Sequence, residues 1–351
     1  MRWDNLRLDD EPAAEQAGPR PLLPRGSVTR TFDTPEFRGL TFHEVTCRSA
    51  LNKVPDASPV PFRWTINPYR GCSMGCTYCF ARKTHEYLEL DSGTDFDTQI
   101  VVKTNVGEVL RRELRRPSWA GEHVAMGTNV DCYQRAEGRY RLMRDIIPAL
   151  SEAANPFSIL TKGALILRDL DLLTRAAEVT DVSAALSVGS VDRELRGLAE
   201  PGAPPPRRRL EVVRRLTDAG IPTGVLMAPV LPYLSDSDKQ LDETVAAIAA
   251  SGATYVSPIV LHLRPGAREW WTGWLRAHHP ELVVPYARLY RRGSYADADY
   301  QADVTARVLA AAQRHGVGRT SSGRRHTGHE AARSRAPRPV EGPAPTQLSL
   351  L

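Results

Sequence analysis

Short apolar runs alternate along the chain with longer stretches whose apolar residues recur every three or four positions. The runs at 62–67, 100–104, 123–130, 157–161, 182–188, 221–229 and 254–261 are rich in β-branched and aromatic residues and read as strands. Helical stripes lie between them. Val106, Val109, Leu110 and Leu114 share one face, and Met143, Ile146, Ile147, Leu150 and Ala154 share another that stops at Asn155-Pro156. Asn105, with Glu108 three residues later, reads as a capping pair for the first of these. Further helices are predicted over 78–88, 167–178, 238–251 and 299–314, and one ends at Gly220. Single helices between strands mean parallel βα units. Right-handed crossovers curl such units into an α/β sheet, a partial (β/α)6-type TIM barrel, with reacting groups at the C-terminal ends of the strands.

The pattern fades at both ends. Residues 1–55 form an N-terminal extension, whose first 35 residues lack any sustained period and are expected to be partly disordered. The barrel is expected over 56–265 and a helical cap over 266–315. In the cap Trp270, Trp271 and Trp274 share a face that reads as core or packed cap, with a base-stacking platform as the weaker alternative. A disordered tail is expected over 316–351. Lysine and arginine number 46 against 41 acidic residues, a balance of +5. From Arg314 to Leu351 seven arginines face two glutamates, 7 − 2 = +5, so the rest of the chain is formally neutral. No apolar run is long enough to cross a bilayer, and the chain start is charged rather than signal-like. Few cysteines, mostly in one loop, suit a reducing compartment, so a cytoplasmic protein is expected.

Three of the five cysteines, Cys72, Cys76 and Cys79, fall within eight residues, spaced C-x3-C-x2-C, on the loop leaving the first predicted strand. Thiolates are soft ligands that suit iron–sulfur clusters and zinc. Three of them can hold three corners of a cubane cluster and leave the fourth iron open. Gly71 and Gly75 let backbone wrap closely round such a core. Structural zinc normally takes four protein ligands, and His85 is the local candidate for the fourth, so zinc stays open as an alternative. Cys47 reads as a lone structural thiol. Other candidates lie at strand ends: Asn129 and Asp131, Lys162, and Ser187. Turn chemistry accounts equally well for Asn, Asp and Ser. A lysine at 162 could answer a carboxylate.

C-x3-C-x-aromatic-C, with Tyr78 just before Cys79, resembles the signature of the radical S-adenosylmethionine (SAM) superfamily. The resemblance implies a [4Fe-4S] cluster on Cys72, Cys76 and Cys79 with S-adenosyl-L-methionine on its open iron. It also implies an electron donor of the flavodoxin or ferredoxin type, and a 5′-deoxyadenosyl radical that takes hydrogen from the substrate. Residues 52–252 are further similar to the spore photoproduct lyase-like (SplB-type) branch. The matching pieces are Asn67-Pro68-Tyr69-Arg70-Gly71-Cys72, Thr128-Asn129-Val130-Asp131, Thr161-Lys162, Glu200-Pro201 with Arg209-Leu210, and Ala219-Gly220-Ile221-Pro222 continuing to Ala228-Pro229.

By position, that likeness implies that Lys162 and Ser187 bind the methionyl part of SAM, with Asn129 close by. Tyr78 would meet the adenine mainly through its backbone. One departure stands out. The branch's lyase has a hydrogen-donating cysteine where this chain has Gly127, and Cys132, five residues on, is the candidate thiol instead. The expected function is a lyase-like radical SAM enzyme acting in DNA repair or nucleic-acid modification. The same chemistry on a protein or small-molecule substrate stays open, and a zinc-stapled binding protein is the rival from another class. Gln347, Leu348, Ser349, Leu350 and Leu351 resemble the pentapeptide with which bacterial DNA-repair proteins and polymerases dock on the replication sliding clamp, an expected partner.

Overall fold

A computed structural model describes residues 22–58 and 60–318; residues 1–21 and 319–351, including the clamp-like peptide Gln347 to Leu351, lie outside the described residues. The strands are β1 (Val28–Thr31), β2 (Thr41–Val45), β3 (Leu51–Lys53), β4 (Trp64–Ile66), β5 (Tyr69–Arg70) and β6 (Gln99–Lys103), then β7 (Val124–Met126), β8 (Phe157–Thr161), β9 (Val182–Ser187), β10 (Thr223–Val230) and β11 (Val256–Val260). They form two sheets. The larger runs β11-β10-β9-β8-β7-β4-β3. Its first six members are mutually parallel, and β3 pairs antiparallel with β4 at the edge.

Six parallel strands in chain order give the partial (β/α)6 architecture, left open rather than closed. Its strands β7, β9 and β10 are buried over runs that include both faces, as in helix-covered parallel sheets. Val124, Met126, Ile159, Leu186, Val225 and Met227 are all inaccessible or nearly so. The covering helices supply matching stripes, among them Ile146, Ile147 and Leu150 in Met143–Glu152, and Val212, Val213 and Leu216 in Pro206–Asp218. The helix Asp238–Ala250 starts with a capping box between Ser237 and Gln240. Beyond β11 the sheet edge is covered by the helix Ala298–Arg314, and Val256 N–H donates to the Gly318 carbonyl at 3.0 Å.

The smaller sheet runs β1-β2-β6-β5. The strand predicted at 100–104 belongs here, not in the barrel: β6 lies parallel to β2 and antiparallel to β5. Its buried run Ile100-Val101-Val102 satisfies either sheet, so hydrophobicity alone could not choose. β1 is exposed along its whole length, which is why no apolar period marks it. Two local readings also change. The helix expected over 78–88 begins only at Arg82 and is a 3-10 helix to Leu88, because the preceding residues wrap the cysteine loop. Asn105 does not cap its helix; its side chain instead brackets Cys47, accepting from Cys47 N–H at 2.8 Å and donating to the Cys47 carbonyl at 3.1 Å. Among the described residues no helix is long and apolar enough to cross a membrane.

Candidate active site

The cysteine loop leaves the C-terminal end of β4 and is held from four directions. From the smaller sheet's side, Cys72 N–H donates to the Phe96 carbonyl at 2.9 Å. From the loop after β7, the fully buried Gln134 accepts from Ser73 N–H at 3.0 Å and donates to the Gly71 carbonyl at 2.8 Å. From the segment after β9, the Ala199 carbonyl accepts from Thr77 N–H and its hydroxyl at 3.0 and 3.2 Å. There Gly202 N–H also donates to the Met74 carbonyl at 3.0 Å. A Cβ at Gly202 would stand 2.2 Å from the Ser73 oxygen, so the contact requires glycine. From within, the buried Arg82 guanidinium donates twice to the Cys76 carbonyl, at 3.1 and 2.9 Å, and pairs with Asp97 at 2.9 Å. Phe96 and Trp270 lie against its faces, 5.2 and 4.9 Å away.

Around this loop the sheet gathers other candidates. Asp131 binds Thr161 Oγ1 at 2.6 Å, Lys162 N–H at 2.7 Å and Tyr133 N–H at 2.9 Å, so the polar ends of β7 and β8 form one unit. Lys162 Nζ stands 5.8 Å above the Tyr78 ring. The Tyr78 hydroxyl donates to Glu200, whose other oxygen pairs with the buried Arg209. Arg209 also donates to the Ser187 carbonyl at 3.0 Å, while Ser187 Oγ donates to the Ala228 carbonyl at 2.7 Å. Tyr78 and Lys162 are thereby drawn together beside Cys76, and Ser187 is linked to them by its carbonyl through Arg209. A small cleft lined by Tyr78, Gly189, Ser190, Arg196, Glu200 and Pro229 adjoins them. Asn129 is half-buried on the same face, in the loop leaving β7. Cys132 is wholly inaccessible and close enough to Cys72 and Asp131 to feel their charges.

The sequence model described as the radical SAM superfamily matches residues 66–245, from the end of β4 into the helix after β10. The chain belongs to the radical SAM superfamily. An uncharacterized protein of Mycobacterium tuberculosis H37Rv is 52% identical over 308 residues, 88% of this chain and 91% of its own length. One from Methanocaldococcus jannaschii is 27% identical over 192 residues, 55% and 68% of the two chains. Spore photoproduct lyase complexed with dinucleoside spore photoproduct superposes with a TM-score of 0.59 at 14% identity, over 78% of this chain and 79% of that one. A double mutant of that lyase with bound AdoMet and the dinucleoside gives 0.57 at 14% identity, over the same 78% and 79%. These structures share the fold with this radical SAM enzyme.

The donor chemistry of the radical SAM loop fits a cluster. Cys72 and Cys76 are buried and Cys79 half-buried, all three as free thiols. Burial pushes each thiol up, Cys76 to about 12 even with Lys162 pulling it down. The thiols also raise one another, so positive charge brought among them is needed to make them thiolates, and a bound metal does that outright. Among the described residues no three His, Cys, Asp or Glu side chains converge tightly enough to hold one bare metal ion. His85, the local candidate for a fourth ligand, donates through Nε2 to the Gln99 carbonyl, 2.9 Å away.

Charge in the rest of the site is balanced locally. Burial would raise the Glu200 carboxyl, but Arg209 and Lys162 hold it below its usual range. Burial would lower Lys162, yet Cys76 and Glu200 keep its ammonium above the ordinary lysine value. Cys132 is pushed well up by burial and by the Asp131 and Glu137 carboxylates, so it stays a thiol.

Gly127 explains the departure from the lyase branch. Its φ is +74°, and a Cβ there would fall 1.7 Å from the Leu160 oxygen. No cysteine fits that backbone. Sequence reasoning missed Gln134 and Arg82 as loop clamps, and it saw Glu200 and Arg209 only as matching motif pieces. Trp271 and Trp274 are buried and stacked 4.5 Å apart, with Trp271 6.2 Å from the Tyr78 ring, whereas Trp270 is exposed and lies over Arg82, so the three do not share one packed face.

Proposed function

We propose that this radical SAM enzyme binds a [4Fe-4S] cluster through Cys72, Cys76 and Cys79, holds SAM beside it, and modifies or repairs a base in nucleic acid. The observation that carries this reading is the meeting of the cysteine loop with Lys162, Ser187 and Tyr78 at the C-terminal ends of six parallel strands. When bound, the cluster and SAM supply one-electron chemistry that can take hydrogen from an unactivated carbon. The chain's own groups do the positioning. Lys162 offers its ammonium to the methionyl carboxylate, backed by a lysine charge that its neighbours stabilise. The Glu200–Arg209 pair fixes Tyr78, and Trp271 closes over it to keep water out. Asn129 lines the same face.

Cys132 Sγ–H is the proposed hydrogen donor to the substrate radical, since its raised pKa keeps the hydrogen in place. The nucleic-acid substrate is supported by the shared fold with a lyase whose complex holds a dinucleoside. A donor of the flavodoxin or ferredoxin class would supply the electron, and Gln347 to Leu351 would tether the enzyme to the replication sliding clamp.

Anaerobic reconstitution tests the centre of this reading. Iron and sulfide should load, and reductant should release 5′-deoxyadenosine, faster with damaged DNA; alanine at Cys72, Cys76 or Cys79 should abolish both. Stoichiometric zinc with no iron uptake would refute it. For Cys132→Ala, 5′-deoxyadenosine release should persist while the product and its isotope pattern change. The tether fails if a peptide of the last ten residues does not compete with the protein for purified clamp.

A further inference from the structure

A row of rings that starts at the end of the cysteine loop remains unused by the reading above. Phe80 directly follows the ligand Cys79. His262, just beyond β11, lies 5.5 Å from it at an interplanar angle of 36°. Tyr295 continues the row, 5.7 Å from His262 at 32°. The Arg264 guanidinium lies over the other ring, 5.4 Å from the centre of Phe80.

The outer ring is held in place by backbone. His262 and Tyr295 form an antiparallel bridge, Leu263 N–H donates to the Ser294 carbonyl at 2.7 Å, and Ala296 behind is buried. Even so, Tyr295 keeps 53% of its surface exposed. A single exposed tyrosine is ordinary. A fixed file of three rings that begins beside a cluster ligand and ends in solvent, with a guanidinium over one face, is the kit by which proteins hold unpaired bases. Burial and the Arg264 charge keep His262 neutral, so the middle ring stacks without a charge of its own. Lys83 and Arg264 are exposed and free for phosphate contact, and the Glu269 carboxylate is engaged by Gly266 N–H at 2.5 Å.

We propose that Phe80, His262 and Tyr295, with Arg264, form a stacking platform that receives an unpaired nucleobase of single-stranded DNA or RNA and leads it to the cluster loop. The proposal rests on the nucleic-acid reading above, and it needs no cluster to be tested. Full-length protein is titrated against short fluorescent single strands of DNA and RNA, and against an abasic strand of equal length. Any phosphate contact made by the arginines of the tail is common to all three strands, so the difference made by bases isolates the platform.

Tyr295→Ala should weaken base-bearing strands roughly 5- to 150-fold while leaving the abasic strand unchanged. Tyr295→Phe should bind like the wild type, and Arg264→Gln should show a smaller loss. Which of the DNA and RNA arms binds tighter names the source of the base. Wild-type affinity in Tyr295→Ala that melts at the wild-type temperature would overturn the platform and leave the nucleic-acid reading standing. Equal affinity of the wild type for abasic and base-bearing strands would also overturn it. If no strand binds the wild type, the platform and the nucleic-acid substrate both fall, whereas 5′-deoxyadenosine release judges the radical chemistry separately.

Discussion

Glu200 is the residue on which the charge of the site turns. Its two oxygens meet Tyr78 and Arg209, and Lys162 shares its field. Glu200→Gln keeps the shape but leaves two cations without their counter-charge. Breaking a buried pair from one side costs about 3–5 kcal/mol, so the midpoint of urea unfolding should fall accordingly; an unchanged midpoint would contradict this balance. Gln134 acts by hydrogen bonding alone. Gln134→Ala orphans Ser73 N–H and the Gly71 carbonyl, at a cost of about 1–3 kcal/mol, and the variant should retain less iron after reconstitution than the wild type.

At this scale the sequence told only part of the story. The cysteines were legible because soft-metal chemistry dictates residue type and spacing. Glu200 meets Tyr78 across 122 positions and Gln134 meets Ser73 across 61, partnerships that no local pattern encodes.

Among elements, the parallel strands were readable because burial on both faces leaves continuous apolar runs. β6 shows where that logic stops. It is as apolar as a barrel strand yet pairs with β2 and β5, a choice made by chain connection and not by composition. The helix near Asn105 makes the same point, since a side chain suited to capping is used to fasten Cys47 instead.

Lys103, the last residue of β6, carries a testable consequence. Burial lowers its ammonium to about 8, with the neighbouring Arg70 adding to the fall and Cys47 and Glu113 opposing it. The folded value lies below the unfolded one of about 10.4. Its contribution is therefore complete above the unfolded value and is lost as pH falls to about 8. Lys103→Met should be more stable than wild type near neutrality by on the order of 1–3 kcal/mol, with the gap closing as pH rises from about 8 to 10.4 in a series of urea titrations.

Over the whole molecule, the barrel, the smaller sheet and the helical cap meet at the cysteine loop. The cap reaches it through Trp271, which touches the rings of Tyr78, Trp274 and Tyr286. Trp271→Ala should lower stability by about 3–5 kcal/mol and speed hydrogen exchange at Tyr78 and Thr77. A variant that melts like the wild type would show that the cap is not needed to cover the site.

Arg82 ties the cysteine loop to the smaller sheet's side and to the cap, with its guanidinium on the Cys76 carbonyl, its charge against Asp97 and its faces against Phe96 and Trp270. A knot of that kind sets the curve of the chain through protein contacts alone. If the proposed cluster binds there, oxygen that strips it out should accordingly leave a mould intact, ready to be refilled without the polypeptide having to fold again.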